Sequence, residues 1–543
     1  MKSRHKLLAL ALSLALLLSL AVPVCAAETT TSTTKDLTGH IVILHTNDVH
    51  GGIAGYAKVH ALRESYDAAG AYTLLVDAGD FIQGDPTVSA SKGETAIEIM
   101  NSARYNYFVP GNHEFDYGYD NLKKLQSESW ADPLAANILY NGEPAFGSSI
   151  ILHNDLLGDK TIGLFGLATP ETATKAHPAK IQGVTFVGGQ DMMKLAQTEV
   201  DTLKAAGCDY VICLGHLGID AESTGNRSID VLNAVTGIDV FIDGHSHSTE
   251  EEIVEKTNAD RKVGETILTS TGTKLENIGV VTIKDSAITT ECVATEGIEI
   301  PADSEIAARA AAIIAEVDAE YGTVFAKTEV TLNGEKAPGN RTEETNLGDL
   351  ITDALVWKAT QEGEAVDAAI TNGGGIRATI EAGDITKKDI NTVLPFGNTL
   401  SIIKITGSEL LEVLEASTFC TPEAIGGFPQ VSGIVFTVDT TKAYDADAEY
   451  PGTTYFAPKS INRVTIQSVG GKDFDPAATY TIATNDFMAS GGDTYYRFVN
   501  ATANYDLGIA MDEVVMQYIT EVLGGTVTAD KYGEAAGRIT VVS

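Results

Sequence analysis

The hexapeptide Gly-Asn-His-Glu-Phe-Asp at residues 111–116 concentrates side chains that can do chemistry on one short turn. It follows a short apolar run, and Pro110 interrupts any strand at that point. Asn112 and His113 offer a neutral oxygen and an imidazole, and both are suitable ligands for a divalent cation. The same turn would also suit the start of a helix, with Asn112 and Glu114 capping backbone N–H groups. Taken alone, the hexapeptide leaves both interpretations open.

Five apolar runs of the first half, among them the predicted strands 41–44 and 105–109, end in Asp, His or Asn, and helix-like segments such as 57–68 separate them. This alternation predicts an α/β domain with buried strands. Ligands of open α/β sheets bind at the carboxyl ends of the strands, so the polar side chains should converge in one crevice. They suffice for two divalent metals with a bridging carboxylate, the arrangement that serves phosphoryl transfer. The residues concerned are Asp48, His50, Asp80, Asn112, His113, His216, His245 and His247.

The second half has no dense His/Asp cluster, but several of its turns carry arginine, glycine or phenylalanine. Arg377 follows the glycine turn 373–375, and an arginine beside exposed backbone N–H groups forms a suitable phosphate-binding site. A glycine turn is also common where the chain simply changes direction. Phe396 and Phe487, on separate turns, would either fill the core or sandwich a flat base. These stretches lie at 341–348, 371–377, 394–398 and 485–493.

The bulk composition restricts the function. The chain has 543 residues and a formal net charge of −37, so its surface repels phosphate backbones, which disfavours nucleic acid as a partner. An anionic substrate must then be held by a metal or by specific arginines. A chain of this length is too long for one core and predicts at least two domains. Four of the cysteines are interpreted as small apolar fillers, because their spacing fits neither a metal knuckle nor a disulfide framework.

The N-terminus reads as a secretory signal peptide. Three cationic residues precede an apolar run from Leu7 to Val24, and small residues follow at Ala26 and Ala27. A retained membrane anchor is the competing interpretation, since the run approaches bilayer-spanning length. Cleavage would give a secreted protein, periplasmic, extracellular or at the cell surface, with no membrane span in the mature chain.

The motifs, in their order along the chain, resemble those of a known family. Asp48-x-His50, Gly79-Asp80, 111–116, Gly215-His216 and 244–247 resemble the calcineurin-like metallophosphoesterases. More narrowly, they are similar to the secreted bacterial 5′-nucleotidases and UDP-sugar hydrolases. The motifs of the second half resemble the C-terminal domain of the same proteins.

The resemblance implies an α/β fold in which an N-terminal β-sandwich flanked by helices is followed by a linker helix and a C-terminal α/β substrate-binding domain. The predicted segments are a signal peptide at 1–26, a disordered leader at 27–36, the metallophosphoesterase domain at 37–298, the linker helix at 299–322, and the nucleotidase domain at 323–543.

The resemblance also assigns roles to the residues of the first half. His113 would face the scissile phosphate, and Asp116 would orient its ring. A metal-bound water would attack, and the metals would be zinc or manganese. Asp80 would bridge two metals, whose ligands would be Asp48, His50, Asp80 and His247 for the first, and Asp80, Asn112, His216 and His245 for the second. The remaining histidines, including His45 and His177, are predicted to be structural.

In the second half, the resemblance implies contacts to a nucleotide. Phe396 and Phe487 would stack on the base, and Asp493 would contact the ribose hydroxyls. The other substrate residues would be Arg341 and Arg377 on the phosphate, Asn372 and Asn398 on base or sugar, and Gly374 in the glycine turn.

The implied activity is hydrolysis of nucleoside 5′-monophosphates, extending to di- and triphosphates or UDP-sugars. One alternative is a 2′,3′-cyclic-nucleotide phosphodiesterase with 3′-nucleotidase activity, of the same superfamily. An alternative of another class is a surface protein that binds nucleotides without catalysis. Neither base preference nor oligomeric state follows from the sequence.

Overall fold

The computed structural model describes residues 36–153 and 160–543. The predicted signal peptide and all but the last residue of the predicted leader lie outside the described residues. Within those residues, every helix is too short or too polar to cross a bilayer. The four cysteines that lie in the described part of the chain are all free thiols.

The first half contains two six-stranded sheets. In each, the central strands run parallel and antiparallel strands extend the sheet at an edge. In spatial order, the first sheet consists of Ala287–Ala294, Asn277–Lys284, Ile41–Thr46, Tyr72–Asp77, Tyr107–Phe108 and Asp132–Pro133. The second consists of Lys262–Val263, Thr266–Thr269, Val240–Ile242, Tyr210–His216, Ile162–Ala168 and Ser149–Leu152.

Alternate side chains of the strands determine how these layers stack. Ile43 packs between the two sheets, in one buried cluster with Ile212 of the second sheet. Its neighbours Val42 and Leu44 point the other way and pack against helices. The result is a sandwich of two sheets with helices on both outer faces, so the predicted fold class is confirmed. The helices are Tyr56–Ala68, Pro86–Ser89, Glu94–Ala103, Tyr119–Glu128, Thr172–Lys175, Gly189–Ala205, Ser228–Ala234 and Glu250–Lys256.

A helix spans Glu305–Tyr321, within the segment predicted to be the linker. Ser304 caps it, because its side chain accepts a hydrogen bond from the backbone N–H of Ala307 at 3.2 Å. Ile306, Ala310 and Ile313 form a buried stripe that joins the helix-facing cluster of the first half. The helix therefore packs on the first half, and the chain enters the second half only after Tyr321.

The second half is built around a five-stranded sheet with different neighbours on its two faces. Ile402 points toward the helix Asn346–Gln361, while Ile403 points toward a four-stranded sheet and the helix Gly407–Ala416. The five strands, in spatial order, are Pro429–Ser432, Ala368–Asn372, Thr479–Asn485, Thr399–Thr406 and Ala503–Ala510. The four strands are Lys472–Asp473, Val464–Val469, Ile434–Asp439 and Ile539–Val542.

Smaller sheets and short helices complete both halves. The three-stranded sheets are Gly383–Thr386, Val324–Thr328 and Thr526–Val527, and Glu143–Pro144, Ile138–Tyr140 and Val184–Phe186. A hairpin pairs Asp445–Glu449 with Phe456–Ser460. The short helices of the second half are Lys387–Val393, Asp486–Ala489, Met511–Gln517 and Ala529–Tyr532.

Candidate active site

Three of the predicted metal ligands, Asp48, His50 and His247, come together at the carboxyl ends of the strands. One ligand atom from each lies within 4.8 Å of the other two. The Nε2 atoms of His50 and His247 are 3.0 Å apart, and Nε2 of His247 lies 3.5 Å from Oδ1 of Asp48. Three donor atoms that face a common point in this way form a suitable cation site.

A second group of Asp80, His216 and His245 meets the same criterion, with donor atoms within 4.8 Å of one another. Oδ2 of Asp80 lies 3.2 Å from Nε2 of His216 and 4.0 Å from Nε2 of His50. Asn112 adds an amide oxygen 3.3 Å from Nε2 of His216. Asp80 therefore lies within reach of both groups, where a bridging carboxylate would have to be.

The histidines are held by hydrogen bonds from the ring nitrogen that faces away from the cation. Because carbonyl and carboxylate oxygens only accept, that outer nitrogen carries the proton and the inner nitrogen keeps its lone pair. This is the tautomer that binds a metal. The contacts are His50 Nδ1 to Gln83 O at 3.2 Å, His216 Nδ1 to Ala78 O at 2.5 Å, and His245 Nε2 to Glu171 Oε2 at 3.1 Å.

The electrostatics of the two groups also favour a cation. Burial raises the pKa of Asp48 to about 7, since a charged carboxylate is poorly solvated there. Burial alone would lower the pKa of His216, but the carboxylate of Asp80 outweighs it and raises the pKa to about 10. The negative charge of Asp80 therefore attracts positive charge to Nε2 of His216, either as a second proton or as a cation that replaces it. The set of imidazole, carboxylate and amide donors fits divalent ions such as zinc or manganese.

Five of the seven predicted ligands have a left-handed backbone, which is uncommon for residues with a Cβ. The φ angles are 50° at Asp48, 44° at His50, 64° at Asp80, 77° at His245 and 57° at His247. Such conformations cost about 1–3 kcal/mol each and persist only where the surroundings enforce them.

Glu114 holds the backbone around Asp80 in this conformation. Its buried carboxylate accepts hydrogen bonds from the backbone N–H groups of Asp80, Phe81 and Gly111, at 2.8, 2.9 and 2.6 Å. A Cβ at Gly111 would lie 2.2 Å from Oδ1 of Asp80, so glycine is required at the start of the hexapeptide. The hexapeptide is therefore a scaffold as well as a source of ligands, and Glu114 holds the loop rather than capping a helix.

His113 lies beside the metal-ligand groups and faces the second half of the chain. Its Nδ1 is 2.8 Å from Oδ2 of Asp116, and its Nε2 is 4.0 Å from Oδ2 of Asp80. Its ring stacks on Phe396, with centroids 5.5 Å apart and planes 24° apart. The carboxylate of Asp116 accepts the Nδ1 proton, so Nε2 is free to act toward a ligand in the crevice.

A cavity of about 240 Å³ lies at this junction and is lined by residues from both halves. Among the predicted metal ligands, Asp80, Asn112, His245 and His247 line it, while Asp48, His50 and His216 do not. All eight predicted substrate residues line it: Arg341, Asn372, Gly374, Arg377, Phe396, Asn398, Phe487 and Asp493. The fold thus brings together side chains separated by hundreds of residues.

The glycine turn differs from its expected form. The backbone N–H groups of Gly373 and Gly374 donate to Phe428 O and Gly426 O, both at 2.7 Å. These two N–H groups are therefore unavailable to a phosphate, unlike the exposed groups expected from the sequence. Glycine is needed for close packing instead, because a Cβ at Gly373 would lie 2.0 Å from Asn340 O. Arg377 at the end of the turn does reach the crevice, where its Nη2 lies 3.5 Å from Nε2 of His50.

Comparisons with known proteins agree with this division of the molecule. Residues 41–249 match the family model of the calcineurin-like phosphoesterases, and residues 324–500 match that of the 5′-nucleotidase C-terminal domain. The chain belongs to the 5′-nucleotidase family. It is a metal-dependent phosphoester hydrolase of the calcineurin-like type.

Individual members of the 5′-nucleotidase family match along most of this chain. A trifunctional nucleotide phosphoesterase protein of Bacillus subtilis is 29% identical over 91% of this chain, which spans only 34% of that longer protein. A snake venom 5′-nucleotidase of Crotalus adamanteus is 28% identical, over 91% of this chain and 88% of its own. The crystal structure of a 5′-nucleotidase precursor from Thermus thermophilus aligns with a TM-score of 0.76 and 27% identity, covering 93% of this chain and 99% of that one.

Some residues of the phosphoesterase half reach the site although sequence reasoning did not select them. Glu171 is buried and holds His245, while Lys175 and Glu222 line the cavity. His177 also lines it, although the sequence predicted only a structural role. None of these four lies in a motif, so no local signal identifies them. His45, in contrast, is fully buried, and burial lowers its pKa to about 3, as suits a structural residue.

Proposed function

We propose that this protein releases phosphate from nucleoside 5′-monophosphates, using two divalent cations held by the two ligand groups. The observation that carries the proposal is the shared cavity, which joins members of both groups to the arginines and phenylalanines of the second half. A phosphate and a nucleoside fit such a combination of basic, aromatic and metal-binding side chains.

The proposed phosphate position lies between the ligand groups and the two arginines. Arg341 and Arg377 line the cavity, and Arg377 contacts His50 of the first group. Two guanidinium groups would neutralise the phosphate and fix its orientation by paired N–H donors. Divalent cations, when bound, would supply Lewis acidity to the phosphoryl oxygens and to an attacking water.

His113 would stabilise the transition state. Asp116 accepts the Nδ1 proton at 2.8 Å, which leaves Nε2 directed at the crevice. In its protonated form, Nε2 would donate a hydrogen bond to a phosphoryl oxygen, where negative charge accumulates as the ester bond breaks.

The nucleoside would be held by the second half. Phe396 and Phe487 line the cavity and would stack on the base, while the Asp493 carboxylate would accept hydrogen bonds from the ribose. Asn372 donates to Oδ2 of Asp493 at 2.7 Å, so its first role is to position that carboxylate. Asn398 would contact the base or the sugar.

We further propose that the phosphoesterase domain extends over 37–298 and the nucleotidase domain over 323–543, joined by the linker at 299–322. Cationic residues followed by an apolar run at 1–26 support cleavage of a signal peptide and secretion. Mass spectrometry of the protein isolated from culture medium or periplasm would identify the mature N-terminus. A retained residue 1 would refute cleavage.

A panel of substrates tests the activity. Purified protein supplied with Zn²⁺ or Mn²⁺ is given AMP, ADP, UDP-glucose, 3′-AMP and 2′,3′-cyclic AMP, and released phosphate or nucleoside is measured with and without a chelator. AMP should be hydrolysed with the highest kcat/KM, and the chelator should abolish turnover. Faster turnover of 2′,3′-cyclic AMP would favour the cyclic phosphodiesterase instead. AMP that is bound but remains intact for hours would favour the binding protein.

A further inference from the structure

A buried cluster of charges lies between the two halves, apart from the metal-ligand groups. Lys175, the last residue of the helix Thr172–Lys175, has its Nζ 3.2 Å from Oδ1 of Asp493 and in hydrogen-bond contact with Oε1 of Glu222. The side chains of Lys175, Glu222 and Asp493 are 13%, 7% and 3% exposed. All three line the cavity.

Both halves of the molecule build this cluster. Lys175 and Glu222 belong to the phosphoesterase half, yet Glu222 accepts hydrogen bonds from Tyr455 OH at 2.6 Å and from the N–H of Gly426 at 3.0 Å. Burial opposes ionisation of Glu222, but Lys175 and these donors outweigh it and hold its pKa at about 2. The backbone N–H of Asp493 in turn donates to Thr174 O at 2.9 Å.

The carboxylate of Asp493 still has unused accepting capacity. An ionised carboxylate offers about four lone-pair positions. Asn372 uses one on Oδ2 and Lys175 uses one on Oδ1, which leaves about two toward the cavity. The vicinal 2′- and 3′-hydroxyls of a ribose supply two O–H donors, so the number of acceptors matches a ribose, whereas a 2′-deoxyribose would leave one acceptor unpaired.

We propose that Lys175 is a positioning residue that sets the specificity of the enzyme for ribonucleotides over 2′-deoxyribonucleotides. It does so by fixing the Asp493 carboxylate toward the ribose diol from across the interface between the halves. The ribose site is therefore complete only when the halves are docked as in this structure. This inference rests on the proposed function and names the class of nucleotide that it favours.

The test compares AMP, 2′-deoxy-AMP and ethyl phosphate, which has neither sugar nor base. A buried acceptor left unpaired costs about 1–3 kcal/mol, so wild type should prefer AMP over 2′-deoxy-AMP by about 5- to 150-fold in kcat/KM. Lys175→Met should reduce that ratio to about two-fold or less, mainly through a higher KM for AMP. Hydrolysis of ethyl phosphate should change by less than about two-fold, because the phosphate site is untouched.

Matched variants control for folding and charge. Lys175→Met leaves two carboxylates buried without their cation, which destabilises the protein. Lys175→Met/Glu222→Gln removes one of those carboxylates, and this variant should fold and still lose the discrimination. Lys194→Met removes a lysine that is 75% exposed on the same half, and it should leave the ratio unchanged. Lys175→Arg keeps the charge and should restore most of the discrimination.

Two results would overturn the inference. One is a wild-type kcat/KM ratio of AMP to 2′-deoxy-AMP near one, which would mean that Asp493 does not bind the 2′-hydroxyl of the ribose. The other is an equal loss on all three substrates in the folded double variant, which would assign Lys175 a purely structural role. In both cases, hydrolysis of AMP by wild type would leave the proposed function intact. Cleavage of ethyl phosphate without cleavage of any nucleotide would instead refute the proposed function.

Discussion

The candidate metal-ligand groups and the proposed nucleoside contacts are built in opposite ways. The ligands follow the strands of two packed sheets, are mostly buried, and have ring nitrogens hydrogen-bonded to the backbone or to Glu171. The nucleoside contacts stand on separate turns of the second half, and Asp493 takes its partner Lys175 from the first. The candidate cation ligands therefore all lie in one half, whereas recognition of the nucleoside depends on how the two halves dock.

The largest expected effect comes from Asp80→Asn, which removes the charge that both ligand groups share. Since this site would act on any phosphate ester, kcat should fall at least about 10³-fold for AMP and for ethyl phosphate alike. Phosphate release measures both. Asp191→Asn is the control, because Asp191 is 77% exposed. A loss on AMP alone would break the proposed separation of chemistry from recognition.

Phe396→Leu should affect the nucleotide only. Leucine keeps bulk against His113 but has no aromatic face for the base, so the KM for AMP should rise about 30-fold. Steady-state kinetics on ethyl phosphate should stay within about three-fold of wild type. Phe456→Leu, at a position that is 46% exposed, provides the matched control. Equal losses on both substrates would mean that Phe396 acts through His113 rather than on the base.

Glu171→Gln tests how firmly the metal-ligand groups are held. The variant weakens the acceptor of the His245 proton, so cation affinity should fall about 10-fold. Calorimetric titration of cation-free protein and the cation concentration giving half-maximal activity both measure this. At saturating cation, kcat should remain within about three-fold of wild type. An unchanged affinity would show that the backbone alone orients His245.

The smallest expected effect is a pH-dependent change in Tm when Glu222, at the interface between the two halves, is replaced. The pKa of Glu222 is lowered to about 2 from an ordinary value of 4.5, so its contribution to stability is complete above 4.5 and is lost as the pH falls through 2. Wild type should therefore exceed Glu222→Gln in Tm by about 3 °C at pH 6. The difference should shrink between pH 4.5 and pH 2 in thermal scans. A constant difference across this range would contradict the charged pair.

Much of the first half could be predicted because its signals are local. The predicted helix 57–68 is observed as Tyr56–Ala68, and the predicted strand 41–44 as Ile41–Thr46. Apolar periodicity and turn residues are sufficient for such elements. The apolar run at 105–109 predicts a longer strand than is observed, since only Tyr107–Phe108 pairs in the sheet. The run is short, and its flanks form loop contacts instead.

The remainder could not be predicted because it depends on contacts between distant segments. Lys175 and Glu222 become informative only when Asp493 and Tyr455 are placed beside them by docking of the halves. The glycine turn resembles a phosphate cradle in sequence, but the N–H groups of Gly373 and Gly374 are used by the segment 426–428. Sequence patterns identify residue types, whereas the partners of a donor or acceptor depend on the fold.

The left-handed backbone at five of the proposed ligands has a consequence for how this protein could change. Glycine adopts that conformation without strain, so a substitution such as His247→Gly would relax the chain while destroying the site. A library selected only for thermal tolerance should therefore accumulate inactive members at these positions. Engineering for robustness would have to screen turnover in parallel, because the two properties compete at the same few residues.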